Sequence, residues 1–207
     1  MTQVRVDGDS HPLTFIFAHG AGADMDHEFM AAVAAGLAQN GIKVVRFNFP
    51  YMVKRSEDGK RRPPDRAPKL LDAYQAVLAE YASGPVVIGG KSMGGRMASL
   101  LSEHSHVAGI ACLGFPFHPP GKPEKFKGDH LATMPKQCLI LQGERDTFGT
   151  QAEFAGFTFS DQVEVSFLPD GDHSFKPRKA SGHTEAGNIA LAVERLTQFI
   201  KEVYDAK

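Results

Sequence analysis

Cysteine is scarce in this sequence, with two in 207 residues, too few for the disulfide framework of a small secreted domain. Cys112 and Cys138 each sit inside an apolar run, Ile110 to Leu113 and Cys138 to Leu141, where cysteine behaves as a small buried hydrophobe; both are expected to be reduced core residues. Long apolar runs are missing as well, none approaching the roughly 20 residues of a membrane span. Met1 to Asp9 is polar and charged, without the stretch a secretory leader requires. These absences point to a cytoplasmic protein that does not engage a membrane. Neither sign of charge prevails, since 23 Lys and Arg stand against 24 Asp and Glu for a formal net charge of -1, which removes any global reason to expect nucleic acid as partner. With no internal repeat and no linker, residues 1–207 are expected to form one domain with a core of its own.

What the chain does have is a succession of short apolar runs bounded by turn residues: Leu13 to Ala18, Val44 to Phe49, Val86 to Ile88, Val107 to Leu113, Cys138 to Leu141 and Val163 to Leu168. Most are continuously apolar, as strands covered by helices on both faces must be. The last alternates with polar residues and is placed nearer an edge, and Val4 to Val6 can add at most an abbreviated strand before Leu13. Between the runs apolar residues recur at helical spacing: Phe29, Met30, Val33 and Leu37 after an Asp26 cap; Leu71, Tyr74, Leu78 and Tyr81; Met97, Leu100 and Leu101; and Ile189, Val193, Leu196, Ile200 and Val203. Alternation of strand and helix predicts a doubly wound, mostly parallel α/β sheet. Met52 to Pro68 and the Pro-rich Gly114 to Pro135 read as irregular loops following strands, hence as borders of the ligand-binding edge of such a sheet.

One of the strand-to-helix junctions carries chemistry. Val86-Val87-Ile88-Gly89-Gly90-Lys91-Ser92-Met93-Gly94-Gly95-Arg96-Met97 sets Gly-x-Ser-x-Gly between a strand and an amphipathic helix. That turn raises a serine hydroxyl at the strand tip and needs glycine on either side to avoid collision. Gly90-Lys91-Ser92 is not the end of a phosphate loop, because the glycine that motif requires five residues before Gly90 is Pro85.

A serine hydroxyl needs an imidazole to take its proton, and the imidazole needs an acid to fix its tautomer. In this kind of sheet they follow in the order acid then histidine, each after a later strand. Asp146 ends the strand-and-turn Leu139 to Asp146, and His173 ends Val165 to His173. Ser92, Asp146 and His173 are therefore the candidate triad; Glu144 is the rival acid, and Asp170 or Asp172 could orient the ring from close by. Among nine histidines, His104, His106, His130 and His183 are assigned to surface or structural roles. The first strand runs into His19-Gly20-Ala21-Gly22, the place of the loop that supplies an oxyanion donor, so the backbone N–H groups of Ala21 and Met93 are the candidate oxyanion hole. His19 is read as holding that loop. The motif calls for neither metal nor cofactor.

With these segments in order over nearly the whole length, the chain resembles the α/β-hydrolase superfamily. Gly114-Phe115-Pro116-Phe117-His118-Pro119-Pro120-Gly121-Lys122 and His173-Ser174-Phe175-Lys176-Pro177-Arg178 resemble a branch of small predicted hydrolases that is similar to testis-expressed protein 30 and to a subunit of the non-specific lethal acetyltransferase complex. The resemblance implies the fold and a serine nucleophile without naming a substrate. The chain departs from the larger superfamily in having only Gly114 to Lys136 where a cap domain would be inserted. Lys54, Arg55, Lys60, Arg61, Arg62 and Arg66, with Lys176, Arg178 and Lys179 after the histidine, suggest a positive rim centred on Arg61, Arg62, Lys176 and Arg178 that favours an anionic substrate; a solvated basic loop interspersed with Glu57, Asp58 and Asp65 is the competing interpretation. The leading expectation is a small-molecule acyl substrate, an ester or thioester, hydrolysed through an acyl-enzyme on Ser92. Acyl transfer to another acceptor, or a scaffold that keeps the fold without turnover, are the alternatives.

Overall fold

A computed structural model describes residues 2–206. Its strands are β1 (Val4–Asp7), β2 (Leu13–Ala18), β3 (Ile42–Phe47), β4 (Val86–Lys91), β5 (Val107–Leu113), β6 (Cys138–Gly143) and β7 (Val163–Leu168), and its helices are α1 (Glu28–Gln39), α2 (Pro50–Asp58), α3 (Ala67–Tyr81), α4 (Met93–Ser99) and α5 (Glu185–Asp205). The strands form one sheet in the order β1-β3-β2-β4-β5-β6-β7. Only β1 runs antiparallel, against β3, and every other neighbouring pair is parallel. The alternating strand β7 is an edge strand, with Glu164 exposed and Leu168 buried.

The continuous apolar character of the central strands follows from two buried clusters, one on each face. Ile16, Val45, Ile88, Ile110 and Ile140 point toward Leu70, Tyr74, Val77 and Met97 of α3 and α4. Phe15, Phe17, Val44, Val87 and Leu139 point toward Phe29, Val33, Leu37, Val193 and Leu196 of α1 and α5. Side chains alternate across a strand, so each apolar run feeds both clusters. Cys112 and Cys138 are buried and unpaired.

Three sequence expectations change. Met52 to Pro68 is irregular only from Gly59 to Arg66, with helix on either side: α2 begins at Pro50, whose fixed φ suits a first turn, and stops at Gly59 in the left-handed conformation. The cap of α1 is His27, whose ring accepts from the Phe29 N–H, while Asp26 pairs with Arg5. Leu100 lies beyond the end of the short α4 and is exposed. Gly114 to Pro135 is irregular apart from a 3-10 turn at Asp129–Thr133, and no cap domain rises from it. No helix among the described residues is long and apolar enough to cross a membrane.

Candidate active site

After β2 the chain builds β3 on one side, then crosses to lay β4 on the other. That reversal opens a crevice at the carboxyl ends of β2 and β4, where ligands collect in sheets of this kind. Ser92 follows β4 there, with φ 49° and ψ -116°, a left-handed-side conformation that a non-glycine residue holds only under surrounding constraint. The flanking glycines supply the constraint. A Cβ on Gly90 would lie 2.3 Å from the Gly94 carbonyl carbon, and one on Gly94 would lie 2.5 Å from the carbonyl oxygens of Ala18 and His19. Backbone thus packs on backbone around the turn, and the serine is left at the apex.

Residues far apart in sequence meet at this apex. His173 Nε2 is 2.8 Å from Ser92 Oγ, and His173 Nδ1 is 2.8 Å from Asp146 Oδ2. Because the ionised carboxylate only accepts, the ring donates from Nδ1 and its Nε2 lone pair faces the serine hydroxyl. Asp146 is fully buried and also accepts from Gln142 Nε2 at 3.1 Å and from the Phe148 N–H at 2.8 Å. Burial pushes the His173 pKa below its ordinary value; the Asp146 hydrogen bond opposes this and the positive charge of Lys91 adds to it.

The rival acids are occupied elsewhere. Glu144 accepts from the Asp170 N–H, Asp170 pairs with Arg178 and Arg145, and Asp172 accepts from the N–H groups of Ser174 and Lys176 within its own loop. That loop is fixed from behind, where Asn188 of α5 donates to the carbonyls of Pro169 and Phe175.

The loop after β2 is held by its own side chains. His19 is buried and donates from Nδ1 to the Gly20 carbonyl at 2.6 Å while Nε2 accepts from the Phe49 N–H at 3.0 Å, and burial lowers its pKa to about 4. The Tyr51 hydroxyl donates to the carbonyls of Gly20 and Ala21. With those carbonyls turned away, the N–H of Ala21 has no acceptor among the described residues, nor has that of Met93, the first residue of α4.

A cavity of about 340 Å³ adjoins Ser92 and His173. Its walls include Ala21, Phe29, Met30, Lys91 and Phe148. A larger and shallower groove of about 850 Å³ between α1 and α5 has neither serine nor histidine among its walls, so the chemistry is assigned to the smaller one. Arg61, Arg62, Lys176 and Arg178 do not line it. Arg62 is drawn to Asp58 by the unforeseen helix α2, and Arg178 to Asp170; the expected cationic rim is not assembled at this mouth. The charge near the nucleophile comes instead from Lys91, which the sequence reading passed over, and an aromatic wall comes from Phe148. Among the described residues no three His, Cys, Asp or Glu side chains converge as a metal-holding group.

A doubly wound sheet with a serine at the elbow after β4, an acid after β6 and a histidine after β7 defines an α/β hydrolase. Residues 11–201 match the family described as an alpha/beta hydrolase domain, and the chain belongs to that family. Solved structures share the fold at low identity. Est1E from Butyrivibrio proteoclasticus, with ferulic acid bound, superposes with a TM-score of 0.73 at 16% identity, covering 100% of this chain and 96% of that one. A dienelactone hydrolase from Anabaena variabilis gives 0.72 at 15%, covering 97% and 91%. An α/β serine hydrolase without lid from Xanthomonas campestris gives 0.64 at 19%, covering 99% and 88%.

Proposed function

We propose that this protein is a serine hydrolase that cleaves a small carboxylic ester or thioester through an acyl-enzyme on Ser92. The observation that carries the reading is the unbroken relay from Ser92 Oγ through the His173 ring to Asp146, with 2.8 Å at each step. As the hydroxyl attacks the carbonyl carbon, His173 Nε2 takes its proton, and Asp146 stabilises the imidazolium without itself being protonated. The N–H groups of Ala21 and Met93 receive the developing oxyanion. His173 then gives the proton to the departing alcohol or thiol, and water, deprotonated by the same ring, releases the acid and restores Ser92.

The cavity of about 340 Å³, walled by Phe29, Met30 and Phe148, suits a compact acyl or aryl group, a size compatible with the ferulic acid bound to Est1E from Butyrivibrio proteoclasticus. A fluorophosphonate probe tests the chemistry. The folded wild type is expected to be labelled and Ser92→Ala and His173→Ala are not, with turnover of a reactive ester in either variant down by roughly 10⁴-fold or more. Wild-type protein that stays unlabelled refutes the proposal. A panel of matched esters and thioesters then ranks the leaving group.

A further inference from the structure

Lys91 has no part in the acyl-transfer steps, yet its side chain ends inside the site. It is the residue between Gly90 and Ser92, it is buried, and its Nζ donates to the His173 carbonyl oxygen at 2.5 Å. The ammonium lies 5.4 Å from the centre of the Phe29 ring. Room for it is left by Gly114, which has φ +68° and whose added Cβ would meet Lys91 Nζ at 2.8 Å and the His173 carbonyl at 3.0 Å. A buried ammonium is costly unless paired, and among the described residues no carboxylate forms a salt bridge with this one.

We propose that Lys91 is a positioning residue of the hydrolytic site: its ammonium tethers the His173 loop through the backbone carbonyl and, by repelling a second positive charge, keeps the imidazole neutral and ready to accept the Ser92 proton in mildly acidic solution. The inference rests on the reading of Ser92 and His173 as nucleophile and base. Several groups face the imidazole. Asp146 at Nδ1 and Asp172 in its own loop favour the charged ring, whereas burial and Lys91 disfavour it; Phe148 stacks on the ring and His27 stands in the wall of the same cavity. The ammonium in turn faces Asp146 and Asp172, which hold it up against a burial that brings its pKa down to about 8. Below that value the ammonium keeps its charge, and its influence on His173 fades as the pH rises through it.

The test follows the His173 resonance by NMR as pH is varied, assigned by its disappearance in His173→Gln, in wild type, Lys91→Gln and Lys91→Met. Gln removes the charge and keeps a donor; Met keeps the stem against Phe29 and removes both. The His173 midpoint is expected to rise by about half to one pH unit in each, and the acid limb of kcat/KM on a nitrophenyl ester is expected to move with it, so that activity well below the midpoint, relative to the alkaline plateau, falls by roughly three- to tenfold. Met is expected to lower kcat further at every pH. Should Gln not fold, Met alone decides the charge effect. A midpoint unmoved in a folded variant overturns the proposal, even where turnover and stability are lost, because a purely structural lysine would produce that pattern. Failure of the hydrolase reading shows separately, as a wild type that fluorophosphonate does not label; the titration still decides whether the two groups are coupled.

Discussion

The phenyl ring of Phe148 lies over the imidazole of His173, with centroids 4.2 Å apart and planes 27° from parallel. The same residue donates its backbone N–H to Asp146, so one short turn both stacks on the base and hydrogen-bonds the acid that orients it. Phe148→Ala leaves the second contact intact and removes the first. The expected result is a fall in kcat of about ten- to a hundredfold, from an imidazole free to swing off line, with little change in thermal stability because Phe148 is only partly buried. Steady-state kinetics beside a melting curve check it; an undiminished kcat would mean that Asp146 alone holds the ring.

The two acids of the turn after β6 separate by variant. Asp146→Asn keeps the shape of a buried side chain and removes the charge that fixes the Nδ1–H tautomer, so kcat is expected to drop by roughly 10³- to 10⁴-fold with the fold retained. Glu144→Gln removes a charge that serves the Asp170 N–H; it is expected to cost about 1 kcal/mol of stability and to leave turnover within a few-fold. Reversal of the two phenotypes would reassign the acid.

His19 links stability to pH. Burial holds its pKa at about 4 when folded, against about 6.5 in an unfolded chain. Above 6.5 both states are neutral there and the full contribution is present. Between 6.5 and 4 only the unfolded chain takes up the proton, so stability falls as the pH falls, by about 3 kcal/mol in all, and levels off below 4. Urea unfolding at pH 7.5 and pH 4.5 should show a steeper loss in wild type than in His19→Gln. Equal slopes would show that His19 is as readily protonated folded as unfolded.

Tyr74 ties the elbow strand to its neighbour. Its buried hydroxyl donates toward the carbonyls of Ile16 at 3.0 Å and Gly89 at 2.6 Å and accepts from the Gly89 N–H at 3.1 Å. Tyr74→Phe leaves these groups facing an apolar edge and is expected to destabilise by about 1–3 kcal/mol, measured by denaturant midpoint. Turnover should change much less, since Gly90 and Gly94 still shape the turn.

The elements legible in the sequence are those whose burial is one-sided or complete. β4, β5 and β6 read as apolar runs because helices cover both faces, and α5 read as a helix because Val193, Leu196, Ile200 and Val203 share one buried stripe. α2 escaped because only Tyr51 and Met52 of its nine residues are buried, which leaves no periodicity; Pro50 and Gly59 at its ends were the available signal. At the site, Ser92, Asp146 and His173 were nameable because the order of elements fixes which loop each must occupy. Lys91 and Gln142 were not, since their roles depend on which way a buried side chain turns. Gln142 donates to the Phe115 and Gly149 carbonyls as well as to Asp146, and nothing in its sequence neighbourhood distinguishes it from any strand glutamine. The arginines misled for the complementary reason: charge counted along a chain ignores the acids that folding brings beside it.

The stretch after β5 packs Phe115 and Phe117 down among Phe126, Phe154 and Phe157, and none of its residues is among the walls of the cavity beside Ser92. In the proposed reaction the acyl group would be walled by Phe29, Met30 and Phe148, and the stretch after β5 would have no part in admitting water or letting the product leave.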